Sequence, residues 1–285
     1  MTMSSTLHVA FVVLIVKLIG SECFLFENGN RNVAFKLYTR SDTKGRVIDA
    51  RTLFNSNFNN KLQTKLIIHG WFGDLPKFDA MITELLGKEN MNVIQVNWSN
   101  WSSNLDYFQV VEEVPEVAAE VKRFMDTLIQ DGGLSLKYVH LIGYSLGAQI
   151  ASLVGKKYRN PRIPRISCLD PSGVGFDNNN PMASVHKSDA VFVDVIHSSI
   201  ISAAPRGDVD FFPNNGMGSH SLALKLFEES IRRRCDFTAR SCSDWDAFQS
   251  KRCDDNASNV MGLDAKPTNA MGKLYLNVKT EAPFC

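Results

Sequence analysis

Short apolar runs recur along the chain at wide intervals: Lys65–His69 (KLIIH), Val93–Trp98 (VIQVNW), Tyr138–Gly143 (YVHLIG), Arg165–Leu169 (RISCL) and Val191–His197 (VFVDVIH). Runs that are apolar at consecutive positions suit strands buried on both faces. Between them the apolar period lengthens. Over Glu112–Gln130, the residues Val114, Val117, Val121, Phe124, Met125, Leu128 and Ile129 fall on one face of a helix. Asp131-Gly132-Gly133 stops that helix, because glycine supplies the positive φ of a helix end. Further helices are predicted over Leu146–Tyr158 and from Ser219 to about Arg232. Alternating strand and helix predicts the α/β class, a mostly parallel central sheet with helices on both faces and right-handed crossovers. With no repeat, low-complexity tract or linker, residues 24–285 are expected to form one domain.

The first residues change the picture of where the chain works. Leu7 to Gly20 is apolar apart from His8 and Lys17, and small residues follow at Ser21 and Cys23. The run is shorter than the roughly 20 residues that span a bilayer. Residues 1–23 therefore read as a secretory signal peptide. Of the remaining cysteines, Cys168 lies in an apolar strand and reads as a small buried hydrophobe. Cys235, Cys242, Cys253 and Cys285 cluster near the C-terminus and are expected to form two disulfides outside the cell. Sequons at Asn97, Asn100 and Asn256 fit the same compartment, with Asn256 in the most polar surroundings. No cysteine or histidine spacing suggests a metal site, and no phosphate loop or nucleotide fingerprint is present, so no cofactor is expected. Lys plus Arg number 31 against 30 Asp plus Glu. That balance disfavours nucleic acid as a partner, which requires a concentrated basic field.

The candidate chemistry starts at Gly143-Tyr144-Ser145-Leu146-Gly147, a GxSxG placed after a predicted strand and before a predicted helix. In that context the serine sits on a tight elbow that lifts its hydroxyl clear of the sheet. Serine is a weak nucleophile until a histidine, itself oriented by an acid, takes its proton. On this kind of fold acid and histidine follow the serine in the chain. Asp170 ends the next strand, stopped by Pro171, and is favoured over Asp189 and Asp194. His220 and His197 both remain candidates for the base, with chain order favouring His220. An oxyanion also needs N–H donors. Leu146, the residue after the nucleophile, supplies one, and Trp71 in His69-Gly70-Trp71-Phe72-Gly73 is the candidate for the second.

These motifs carry a resemblance. IIHGW (67–71), GYSLGA (143–148), LDPSG (169–173), DAVFVDVIHSS (189–199), DVDFFPNNG (208–216) and SHSLALKLFEESI (219–231) occur in the order found in the pancreatic lipase family. The resemblance implies an α/β-hydrolase fold, with Ser145 as nucleophile, Asp170 as acid, His220 as base, and Trp71 and Leu146 as oxyanion donors. His197 then becomes structural. It also implies a Cys242–Cys253 disulfide, and Cys235 with Cys285 is inferred as the other pair. Where long-lidded members carry a lid between two cysteines, only Met217, Gly218 and Ser219 separate Gly216 from His220. The loop between His197 and Asp210 is short as well. In the family, short versions of both go with phospholipase A1 activity, as in insect members lacking the C-terminal lipid-binding domain. Tyr144 stands where histidine is commoner, and Asp208 where histidine is usual.

The expectation is a secreted serine ester hydrolase acting on lipid at a membrane or micelle surface, most readily as a phospholipase A1, with no colipase. Phe72, Leu75, Pro76 and Met217 are candidates to touch that surface. The alternatives are hydrolysis of triacylglycerol or galactolipid, or a non-catalytic protein of the yolk type.

Overall fold

The computed structural model describes residues 32–73, 75–176, 180–202 and 204–285. The segment read as a signal peptide lies outside the described residues. The strands are β1 (Ala34–Thr39), β2 (Asp42–Ile48), β3 (Thr64–Ile68), β4 (Asn92–Asn97), β5 (Val139–Tyr144), β6 (Arg165–Leu169), β7 (Phe192–Ile196), β8 (Val209–Pro213), β9 (Thr238–Ser241), β10 (Ser258–Val260) and β11 (Gly272–Leu276). They form one sheet in the order β10-β9-β11-β8-β7-β6-β5-β3-β4-β1-β2. The run from β4 through β3, β5, β6, β7 and β8 to β11 is parallel. Both edges are antiparallel, β1 pairing with β2 and β4, and β9 with β10 and β11.

The main helices are α1 (Asp79–Lys88), α2 (Tyr107–Gln130), α3 (Leu146–Lys157), α4 (Leu222–Arg232) and the short α5 (Trp245–Gln249). Alternation along β3 shows why they cover both faces. Leu66 and Ile68 join a core with Val114, Val121 and Met125 of α2 and Ile150 and Val154 of α3. Ile67, between them, joins a second core with Met81 and Leu85 of α1 and Leu226 and Phe227 of α4. The sheet is therefore an apolar wall between two oily layers, as the doubly apolar strands require.

Helix α2 begins earlier than its apolar period suggested, at Tyr107 rather than Glu112. The cause is its cap: the Asp106 carboxylate accepts from the backbone N–H of Phe108 and Gln109. The helix ends as expected before Asp131, and Gly133 takes φ +69°.

Register places the site. In adjacent parallel strands Ile68 is level with Gly143, Tyr144 with Leu169, and Leu169 with Ile196. The residues just past those strand ends are His69, Ser145, Asp170 and His197. The chain thus delivers a serine, an aspartate and two histidines to the same carboxyl edge of one sheet.

Candidate active site

Ser145 occupies the turn between β5 and α3 with φ +57° and ψ −119°. That conformation is costly for a residue bearing a Cβ, and it persists because the surroundings over-determine it. The Ser145 N–H donates to the Leu169 carbonyl at 3.0 Å, while its own carbonyl accepts from Ala148 and Ser172. The flanking glycines are steric necessities. A Cβ at Gly143 would run into the Gly147 carbonyl and the Ala148 backbone, and one at Gly147 into the carbonyls of Ile68 and His69. Ser145 is therefore flanked by two positions where backbone passes too closely for any Cβ.

Asp170 also has positive φ, +44°, and is fully buried. Its Oδ1 accepts the backbone N–H groups of Ser198 (2.9 Å) and Ser199 (3.1 Å). Its Oδ2 accepts the Ser199 hydroxyl (2.5 Å) and His220 Nδ1–H (2.6 Å). Donors to a carboxylate hold its charge in place without leaving it bare. With Nδ1 donating, the neutral imidazole presents Nε2 as an acceptor.

His220 lies in the connector between β8 and α4. Ser198 pins that connector: its Oγ donates to the Ser219 carbonyl at 2.9 Å and accepts from Ala223 N–H at 3.1 Å, and its carbonyl accepts from Gly218 N–H at 2.8 Å. The imidazole stacks on the Tyr144 ring, centroids 4.7 Å apart, which puts it beside the serine elbow. Burial, then the nearby Asp170 charge, pushes the Tyr144 hydroxyl up to about 12, so the ring is neutral at physiological pH. The Asp170–His220 pair thus stands beside the Ser145 elbow, an arrangement able to support general-base activation of a serine.

The loop after β3 passes against the elbow. A Cβ at Gly70 would lie 2.7 Å from the Ser145 Cβ. The loop is braced from behind by His69, whose Nδ1–H donates to the Gly70 carbonyl (2.8 Å) and whose Nε2 accepts from Trp98 N–H (3.1 Å). Burial pulls His69 down to about 4, which keeps it neutral and in that tautomer. Trp71 is tied by its indole N–H to the Asn104 carbonyl (2.8 Å). Leu146 opens α3, and the first N–H groups of a helix have no intrahelical acceptor. Phe72, Leu105, Phe108, Ile200, Ile201 and Met217 are exposed. Trp71 touches Phe72 and Tyr107, and Tyr107 touches Phe108. Tyr107 also bonds the Ser172 hydroxyl (2.5 Å), joining this aromatic group to the elbow.

The competing residues are engaged elsewhere. His197 Nε2 donates to Asp210 at 2.7 Å in a buried pair and stacks on Phe212. Asp194 is held by Arg165 and Ser167, and Asp189 by Lys156 and Ser152. His140 bonds Ser167 inside the sheet, and His186 caps a turn. Asp208 accepts the Val193 N–H at 2.9 Å, away from the serine. The structure joins Cys235 to Cys285 and Cys242 to Cys253, and leaves Cys168 buried and unbonded. Among the described residues no group of acidic, histidine and cysteine side chains is arranged to hold a metal ion. Reading the sequence missed Ser198 and Ser199. Their position just after a strand ending at the carboxyl edge was the available signal.

A family model described as Lipase matches residues 24–220. The chain belongs to the lipase family. This is the family toward which the motifs from IIHGW to SHSLALKLFEESI pointed. Relatives of this lipase-family chain include Lipase member H of Oryctolagus cuniculus, 32% identical over 247 residues, covering 78% of this chain and 54% of that protein. Phospholipase A1 member A of Rattus norvegicus is 30% identical over 298 residues, covering 92% of this chain and 65% of that one. The chain thus spans between about half and two thirds of these relatives' length. A solved sugar hydrolase from Lactococcus lactis is similar at a TM-score of 0.39 and 14% identity, covering 69% of this chain and 74% of that one.

Proposed function

We propose that the protein is a secreted serine carboxylic ester hydrolase that acts on lipid, with the sn-1 ester of phospholipids as its preferred substrate. The observation that carries the reading is the convergence of Ser145, Asp170 and His220 at one sheet edge. Ser145 Oγ attacks the ester carbonyl while His220 Nε2 accepts its proton. Asp170, held by four donors, stabilises the imidazolium that forms and keeps Nδ1 protonated. The Leu146 and Trp71 N–H groups receive the oxyanion. His220 then returns the proton to the leaving alcohol, and water, activated by the same histidine, releases the fatty acid.

The preference for phospholipid rests on the connectors around the serine. Residues 214–221, between β8 and α4, are a tight turn pinned to Ser198, with Met217 projecting at 71% exposure. A connector of that size forms a rim rather than a cover, and an open rim admits a charged head group. The names of the relatives, phospholipase A1 and lipase, accord with this class. The exposed Phe72, Pro76 and Met217, with Ile200 and Ile201, are the residues offered to a membrane or micelle, whereas Leu75 is half-buried. The disulfides suit an oxidising compartment, and Asn256 is exposed for glycosylation.

The test is hydrolysis of phosphatidylcholine labelled differently at each acyl position, with triolein in parallel and Ser145→Ala as control. Release of the sn-1 chain that disappears in the variant is the expected result. Release from triolein alone would replace the phospholipid reading with a neutral-lipid one. A folded chain that cleaves neither would overturn the enzyme reading.

A further inference from the structure

A second residue of the GxSxG motif has no role in the scheme above. Tyr144 immediately precedes the serine, and its ring lies 4.7 Å from that of His220 with 29° between the planes. The Asp170 bond fixes only Nδ1, so the imidazole keeps freedom to rock about that contact and swing Nε2 away from Ser145. A flat partner against one ring face removes that freedom. Tyr144 is itself braced, packed against the core that contains Ile196, Leu222 and Ala223. His220 by contrast is 30% exposed and sits on a connector. The core-packed ring therefore backs the more exposed one. An aromatic face also attracts a cation, so the contact strengthens at the moment the imidazole takes the serine proton.

We infer that Tyr144 is the positioning residue of the histidine, holding the His220 ring in its productive plane as Ser145 is acylated. The inference rests on the ester-hydrolase reading and deepens it. No proton or bond is exchanged with the phenol. The face of the ring carries the effect, and the hydroxyl is dispensable.

The experiment compares Tyr144→Leu, Tyr144→Met and Tyr144→Phe with the unaltered chain. Each is followed by turnover of a soluble p-nitrophenyl ester and by the rate at which a phosphonate labels Ser145. Loss of the aromatic face in the Leu and Met variants is expected to lower kcat and the labelling rate about five- to tenfold, with KM within about twofold. Phe is expected to restore both. Two non-aromatic variants are used so that poor folding of one leaves the comparison intact. Circular dichroism and melting confirm which are native. Native Leu or Met variants that label as fast as the parent would overturn the inference, as would a Phe variant as slow as either. A parent chain that neither labels nor turns over would instead overturn the ester-hydrolase reading, and this inference with it.

Discussion

At the scale of single residues, the site is held by hydrogen bonds that each satisfy a buried group. Asp170 has its full complement of donors, two of them backbone N–H groups that survive any substitution but proline at Ser198 or Ser199. Asp170→Asn is therefore expected to fold normally yet lose about 10⁴-fold in kcat, because an amide favours the wrong imidazole tautomer. Steady-state ester hydrolysis with melting as control checks it, and a loss below about tenfold would contradict the proposed role. His69 makes a different prediction. Its folded value of about 4 lies below the 6.5 of a free histidine, so between those values the unfolded chain binds the extra proton. Stability from this group is thus complete above about pH 6.5 and is lost as pH falls toward about 4, amounting to about 3 kcal/mol. His140, buried and likewise shifted well below its ordinary value, acts in the same direction. Denaturant unfolding at about pH 7 and about pH 5 reads the effect, and equal stability at both would refute it.

At the scale of elements, what could be read in advance was what local constraint dictates. The strand, elbow and helix around Ser145 were legible because one backbone geometry accounts for Gly143, Ser145 and Gly147 together. Asp170 was legible as the end of a doubly apolar strand. Chain order favoured His220 over His197 without deciding between them, since both follow strands at the same edge. The structure separates them by partner, Asp170 for one and Asp210 for the other. The early start of α2 was hidden because its first turn carries the exposed Phe108, outside the apolar stripe. Among the strands not predicted, β9 and β10 are only four and three residues long and are defined by distant pairing, whereas β1 and β2, with six and seven residues, carry no doubly apolar run. A buried ion pair also escaped notice. Lys156 near the end of α3 reaches both carboxylate oxygens of Asp189 at 2.7 Å, with Ser152 and the Ser184 carbonyl alongside. It fastens the chain before β7 to α3. Lys156→Met leaves the buried Asp189 charge with only the Ser152 hydroxyl and His186 N–H as donors and is expected to cost about 3–5 kcal/mol, most of which a Lys156→Met/Asp189→Asn double variant, which keeps an acceptor for both, should recover. Urea unfolding of the singles and the double distinguishes this from a simple loss of packing, in which the double would be worse than either single.

At the scale of the whole molecule, the two disulfides guard the region following the histidine. Cys235–Cys285 closes a separation of 50 residues and Cys242–Cys253 one of 11. On loop-closure entropy, removing the first is expected to cost about 4 kcal/mol and the second about 3 kcal/mol. Paired Cys→Ala variants compared by chemical denaturation test the ranking, and a larger loss from the shorter loop would reverse it. Sheet order adds a consequence in time. The strand leading to the histidine, β8, is paired on its outer side by β11, whose register begins with Gly272 opposite Val209. Gly272 therefore lies 63 positions after Val209 (272 minus 209), and only there does that edge begin to close. At about 5–20 residues per second of synthesis, the outer edge of β8 waits about 3–13 s for its neighbour. During translation the nascent chain holds its serine elbow well before it holds a finished wall beside His220.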